Sequence, residues 1–342
     1  MPVSALFRTK QQLLFAPPTA IHAHNNIPLH ALTMMAPEYY VFTGERVPNH
    51  VTHVLIAKAL NFVRARSFEE HPNIQEVICH DGVEKIEAKA FNKCPSLRRV
   101  IMPGVKIIEQ MAFNTCRALT YIECGKLERI GAVAFQFCKS LSSVDLPSIK
   151  IVEGKAFLSC INLINAKFGK DLESIKYKAF FYCRSLERIA LPLKDDNMLT
   201  DDTFRVCENL YHVDLFGGVH ETVTALLIEE WKNDVNEEID TINQILPNTH
   251  AGNVFEGQIG DVGEKAQAIQ AWMKSVLHKY THYTAKHRHY LKVATAALQP
   301  ALPNDIVLKN VLPFLQLPSD KCEADDDDSE DDNIPLAALR LA

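Results

Sequence analysis

The sequence predicts an α+β chain: a solenoid with one short parallel β-strand per 22–24-residue repeat, followed by a C-terminal α-helical hairpin. Three observations carry this. A Phe-x-x-Cys-x-x-Leu phrase recurs at Phe91, Phe113, Phe135, Phe157, Phe180 and Phe204, at spacings of 22, 22, 22, 23 and 24 residues; a fixed period of that length means one supersecondary unit copied and stacked. Behind each phrase a short run alternates apolar and polar, as in Leu141-Ser142-Ser143-Val144-Asp145-Leu146, which is the pattern of a half-buried strand. Past Gly217-Gly218 the apolar period changes to steps of three and four, which belongs to helices.

Residues 1–38 are expected to be a disordered leader or extension. The first 37 contain Arg8 and Lys10 but no acid, the composition of a transit peptide, while Pro17-Pro18 stops the apolar stretch Leu13-Leu14-Phe15-Ala16 and argues against a secretory signal. The expected location is cytoplasmic, with an organelle leader as the alternative.

The solenoid is expected over 39–217, with seven Phe-bearing turns and eight strands. The position five before each Phe is always apolar: Ile86, Ile108, Ile130, Val152, Ile175 and Leu199. Upstream, Val51, Val54 and Ile56 form a strand, and Leu60, Val63, Phe68, Ile74 and Val77 complete a unit without the Cys, as suits a terminal repeat that faces solvent. The Ala before each Phe implies a tight turn with no room for a larger group. The unit before Phe204 departs from its siblings, with Asp196 at an apolar position and Thr203 for Ala.

Residues 218–300 are expected to be the hairpin. Val223, Leu227, Trp231, Val235, Ile239, Ile242 and Leu246 make one apolar stripe, stopped by Pro247. From Glu264 to Leu298, Ile269, Met273, Val276, Tyr280, Tyr283, His287, Leu291 and Ala294 make the other, and each stripe buries its partner. A short helix is expected over 301–318 and an acidic disordered tail over 319–342.

A hydrophobic content of 47% with 23% charged residues is that of a folded soluble chain, and no run approaches the length a membrane helix requires. The net charge of −6 is misleading, because eight acids within 323–332 contribute −8 and leave +2 for the rest. A nearly neutral body argues against nucleic acid as the main partner. Six of the nine cysteines share one repeat position, so they read as a column of reduced core thiols and not as disulfide pairs. No Cys-x-x-Cys, Gly-x-Ser-x-Gly or Gly-x-Gly-x-x-Gly occurs, so zinc, a nucleophile elbow and a phosphate loop have no support. His278, His282, His287 and His289 cluster without a carboxylate or Cys at a matching step, and read as lining of the hairpin. No catalytic residue, cofactor or metal is expected.

The phrase Ile-x-x-x-Ala-Phe-x-x-Cys-x-x-Leu-x-x-Ile-x-Leu-Pro, matched at nearly every station from Phe91 through Leu191, resembles the BspA-like (Treponema-type) leucine-rich repeat. The opening Val41-Phe42-Thr43-Gly44 and the segment from Trp231 to Pro247 are similar to large algal families of such proteins. The resemblance implies a leucine-rich-repeat solenoid acting as a non-enzymatic scaffold and offers no catalytic residue to carry over.

Strand-flanking positions form the presented face: Glu76/Ile78, Arg99/Ile101, Tyr121/Glu123, Ser143/Asp145, Asn165/Lys167, Arg188/Ala190 and His212/Asp214. The candidate partner-binding residues are Arg99, Tyr121, Glu123, Asp145, Lys167, Arg188 and His212, with a protein or peptide as partner, since aromatic and Arg residues dominate interface energetics. Self-association through the C-terminal helices is a further expectation. An alternative is a ubiquitin-ligase substrate adaptor, because 302–318 looks like the first third of an F-box; a hydrolase in the helical region ranks third. Ser329, before Glu330-Asp331-Asp332, sits in a context that favours acidophilic kinases.

Overall fold

Each repeat closes one turn whose backbone N–H and C=O groups point along the stack, so every rung finds its hydrogen-bond partners in the next. The computed structural model describes residues 38–194, 198–200, 202–216, 229–249, 251, 264–298, 315–316 and 340–341. The N-terminal segment 1–37, Asp196, residues 221–228, the acidic run and most of 302–318 lie outside these residues.

The main ladder contains nine parallel strands, not the eight expected. Tyr40–Phe42, His53–Ile56, Glu76–Ile78, Arg99–Ile101 and Tyr121–Glu123 form a sheet of five. Ser143–Leu146, Asn165–Phe168, Arg188–Pro192 and His212–Phe216 form a sheet of four. The additional strand is Tyr40–Phe42, which pairs ahead of His53–Ile56 and precedes any repeat signal. A second ladder, absent from the sequence reading, stacks six two-residue strands from Phe62–Val63 to Ser174–Ile175. Its inward residues Ile86, Ile108, Ile130, Val152 and Ile175 are the apolar stations five before Phe. Two residues are too short to show alternation, which is why the strand was not legible.

The third side is a turn in which two residues per repeat are left-handed, such as Val133 (φ 63) and Phe137 (φ 59), two before and two after Phe135. Together with the Phe between them they aim alternate N–H groups forward: Val133 to Gly154, Phe135 to Ala156 and Phe137 to Leu158. The Ala between the first left-handed residue and the Phe is fully buried in every regular turn, in agreement with the tight-turn reading.

Inside, the Phe rings stack. From Phe68 through Phe91, Phe113, Phe135, Phe157 and Phe180 successive centroids lie 4.8, 5.1, 5.2, 5.3 and 5.1 Å apart, with planes within 12°. The cysteines are more than filler. Each of the six repeat thiols donates to the carbonyl of the Phe one turn back: Cys94 to Phe68 (2.9 Å), Cys116 to Phe91 (3.0 Å), and so on to Cys207 with Phe180 (3.1 Å). In the first unit His71 occupies this position. Its Nδ1 accepts from the Ile74 N–H (3.3 Å), so Nε2 carries the proton and donates to Pro48 O (3.0 Å), the bond a thiol makes elsewhere. In the last unit the buried Thr203 hydroxyl is satisfied by Thr200 at 3.0 Å.

Helix α1 (Glu229–Ile245) ends in a short 3-10 turn at Pro247, and α2 (Lys265–Leu298) runs back along it. Trp231 stacks on Tyr283 at 5.1 Å, Asp234 accepts from Tyr283 (2.8 Å) and Lys279 (2.9 Å), and the Trp272 indole donates to Glu238 O (2.8 Å), a register only antiparallel helices make. The hairpin closes the end of the solenoid. Asn243 accepts the Val213 N–H of the last strand (2.9 Å), and Ala251 O takes the Val206 N–H that a further turn would otherwise bind. Lys265, buried, donates to Glu208 O and Leu210 O. Leu315–Gln316 pairs antiparallel with Arg340–Leu341, so residues 315 and 316 are strand and not helix.

Phe157→Ala is expected to cost about 3–5 kcal/mol in chemical denaturation, because it leaves a gap between two stacked rings; a curve overlaying wild type would contradict the core assignment. A second expectation concerns pH. Burial lowers the His71 pKa below its ordinary value, an effect partly offset by the bond to Pro48. The unfolded chain therefore takes up this proton at about pH 6.5, while the folded chain resists it until lower pH, so stability falls as pH drops below about 6.5. His71→Cys should flatten the melting midpoint against pH, measured by circular dichroism.

Candidate partner-binding face

Strand alternation sends Val100, Ile122, Val144, Ala166, Ile189 and Val213 inward and their neighbours outward. The outward residues stack in register: Glu76, Arg99 and Tyr121 in one column, then Ser143, Asn165, Arg188 and His212. Two positions on, Ile78, Ile101 and Glu123 form a second column, followed by Asp145, Lys167, Ala190 and Asp214; Ile78 and Ile101, expected on the presented face, are buried, so the second column opens to solvent only from Glu123 onward. Nine rungs at about 4.8 Å span roughly 38 Å.

The structure gathers the candidate residues into two clusters with a middle pair. In the first cluster Arg99 Nε lies 3.4 Å from Glu76 Oε1, and the guanidinium sits 5.0 Å from the centre of the Tyr121 ring. Tyr121 donates to Glu123 at 3.2 Å, and Tyr39 donates to Glu76 from the N-terminal edge. Burial, then Glu123, raises the Tyr121 phenol pKa, and burial with the Glu76 bond does the same for Tyr39. Both phenols are therefore neutral donors at physiological pH. At the other end Asp214 joins Arg188 (3.4 Å) to His212 (2.8 Å). Between them Asp145 and Lys167 are register partners.

The sequence reading places Glu76 and Asp214 on this face without a role; here they hold the Arg side chains. Tyr39 was missed because it precedes the first repeat and no period points to it. The ladder also divides here, between Tyr121–Glu123 and Ser143–Leu146, and nothing in the repeat phrase signals that break.

The chemistry of the remaining candidates is limited. All eight described cysteines are free and buried, and burial pushes Cys160 and Cys207 up to about 12. A thiol in that state is a poor nucleophile. Among the described residues no group of three or more His, Cys, Asp or Glu could hold a metal ion. No described helix is long and apolar enough to cross a membrane.

The sequence model for the family described as "BspA type Leucine rich repeat region" matches residues 47–151 and 128–226, in six copies. Among solved structures, the chain is similar to a leucine-rich repeat protein of T. pallidum, with 31% identity and a TM-score of 0.39, covering 42% of this chain and 74% of that one. A leucine-rich repeat protein of Eubacterium ventriosum matches at 23% identity and TM-score 0.39, covering 42% of this chain and 40% of that one. One from Bacteroides ovatus matches at 20% and 0.34, covering 44% and 48%. The chain thus spans less than half the length of the last two. No curated protein matches it.

The Arg188–Asp214 pair is 55% and 43% exposed, and such pairs contribute little to stability. Arg188→Ala and Tyr121→Ala are each expected to change unfolding free energy by less than about 1 kcal/mol in urea denaturation. A larger loss would make them supports of the fold, not of an interface.

Proposed function

The chain belongs to the BspA-type leucine-rich repeat family, and from that premise we propose that it is a non-enzymatic scaffold binding a protein or peptide partner on the outer face of its main ladder. The observation that carries this reading is the contrast between columns. Inward positions repeat Phe, Cys and Leu from turn to turn, while the column from Glu76 through Arg99, Tyr121, Ser143, Asn165 and Arg188 to His212 changes residue at every step and holds its Arg side chains in place: Arg99 between Glu76 and Tyr121, Arg188 against Asp214. Preorganised Arg and aromatic groups lose little freedom on binding, which favours them as anchors.

Within this proposal Arg99, Tyr121 and Arg188 are the anchors, and Glu123, Asp145, Lys167 and His212 set the charge pattern a partner must match. The buried unpaired thiols support a reducing compartment, the cytoplasm in this reading. The segments from Val41 and from Trp231 support an algal branch of the family.

The test is affinity purification of the full chain with mass spectrometry, wild type beside Arg99→Ala/Tyr121→Ala and Arg188→Ala. Loss of a wild-type partner from the variants, at unchanged melting temperature, is the expected outcome. Retention of every partner on both variants would move the interface elsewhere, and recovery of a ubiquitin-ligase adaptor subunit on wild type would favour the adaptor function of 302–318.

A further inference from the structure

Charge is distributed unequally around the solenoid. At the entry to the second ladder, successive rungs alternate Glu84, Lys106, Glu128 and Lys150, with Glu84–Lys106 and Glu128–Lys150 each at 2.8 Å. That column is self-neutralised. The turn side is different: over five consecutive turns, residues 88–95, 110–117, 132–139, 154–161 and 177–184, it contains no carboxylate. Glu87, Glu109 and Glu153 stand at the entry to three of these turns and are engaged by the Ala65 N–H, the Ala88 N–H and Arg129; within the turns acids return only at the ends, as Glu69 and Glu70 in the first turn and Asp202 and Glu208 in the last described one.

The same stretch is basic. Lys89, Arg117, Lys139 and Lys155 have no carboxylate partner among the described residues, and the last three are exposed. Lys93, Lys178 and Arg184 reach acids only at the ends, with Glu70 (2.7 Å), Asp202 (4.0 Å) and Glu208 (3.6 Å). Apart from Lys93, which stands two after its Phe, the cations fall in two rows. Lys89, Lys155 and Lys178 stand two before their Phe, and Arg117, Lys139 and Arg184 stand four after.

Between the rows, the last three of the five turns carry an apolar strip, whereas the first two have Asn92, Lys93, Asn114 and Thr115 there. Phe137 is 37% exposed, Leu158, Phe181 and Tyr182 are half-buried, and Tyr177 borders them at 48% exposure. Lys178 sits 4.7 Å from the Tyr177 ring centre and 5.2 Å from that of Phe181, and Arg184 sits 4.2 Å from that of Tyr182. At the Phe180 turn these cations thus lie over the ring faces beside the strip.

We propose that this turn side is a second docking surface, separate from the ladder face, and that its occupant is an acidic amphipathic helix of a protein partner. Charge complementarity selects the sign, since an apolar strip between two cation rows fits a helix whose apolar stripe is flanked by carboxylates. Ring spacings of 5.3 and 5.1 Å across the three turns that carry the strip give a length of about 10 Å, or about 7 residues of helix, two turns. A nucleic-acid strand fits less well, because base stacking needs open ring faces and Lys178 and Arg184 lie over those of Tyr177, Phe181 and Tyr182.

The experiment is fluorescence anisotropy of the full chain with a labelled synthetic helix carrying a Leu stripe flanked by Glu. The comparison ligands are the same peptide with Lys for Glu, the same with Ser for Leu, oligo(dT), and phosphatidylserine vesicles. Binding to the Glu/Leu helix is expected to exceed all four and to weaken with salt. It should drop about tenfold or more in Lys139→Glu/Lys155→Glu and stay unchanged in Arg99→Ala and Arg188→Ala. If the double reversal does not fold, Lys139→Gln/Lys155→Gln reads the same loss in smaller measure. No binding, binding insensitive to these changes, or tighter binding of oligo(dT) or of vesicles would overturn the proposal, whatever becomes of the ladder-face reading.

Discussion

One spacing governs the solenoid: the separation of about 4.8 Å that backbone hydrogen bonds impose between rungs. A flat ring is the side chain that best fills the interior at that repeat. From Phe68 to Phe180 the rings follow the backbone period to within a few tenths of an ångström. Each buried Phe contributes about 1.5–3 kcal/mol from transfer out of water, and each stacked pair roughly 0.5–1.5 kcal/mol more. The thiol-to-carbonyl bonds follow the same step, linking each Cys to the Phe of the turn before. Stability is thus built from contacts between adjacent turns, and any irregularity acts mainly on its neighbours.

That arrangement transfers the difficulty to the ends, where a rung offers groups that no repeat will satisfy. Both ends replace the missing turn with different material. At the start, Tyr40–Phe42 supplies a strand, and the Phe42 ring packs 4.6 Å from Phe68 at a tilt of 51°, without joining the parallel stack. His71 reaches Pro48 because there is no earlier Phe carbonyl in the series. At the other end Ala251, Asn243 and Lys265 answer Val206, Val213, Glu208 and Leu210. The last ring step widens to 5.9 Å with a 27° tilt beside this cap. Lys265 is an expensive choice, since burial lowers its pKa, but two backbone carbonyls compensate the ammonium.

The Phe, Cys and Leu stations state the period outright, so the stack and the main ladder were legible; the strand faces were legible in part, since Ile78 and Ile101 are buried where alternation alone puts them outside. The helices were legible as well: Trp231, Val235, Ile239 and Ile242 face Ile269, Met273, Val276 and Tyr283 within one buried cluster. The left-handed turns were not. Such conformations ordinarily call for Gly or Asn, yet Lys89, Met111, Val133, Lys155 and Tyr182 adopt them here. The forward hydrogen bonds of the stack determine the backbone there, and the residue type merely tolerates it. The clustering of Arg99 with Glu76 and Tyr121 was half legible, since strand position puts them on one face, whereas their contacts depend on register and on Tyr39, which no repeat announces.

Register also constrains the charges that the outer columns can carry. Any residue is followed one rung on by its repeat equivalent at about 5 Å, so a column of one charge repels itself unless signs alternate or an outside ion intervenes. The column of Glu84, Lys106, Glu128 and Lys150 alternates. On the ladder face, Glu76 with Arg99 and Arg188 with Asp214 reach the same end by pairing across rungs. The turn side does neither: Lys155 and Lys178 stand on adjacent rungs, with Asp202 near only the second. In a stacked architecture an unalternated column is a standing cost that an anionic partner removes, and the acid-free turns are where such a partner gains most.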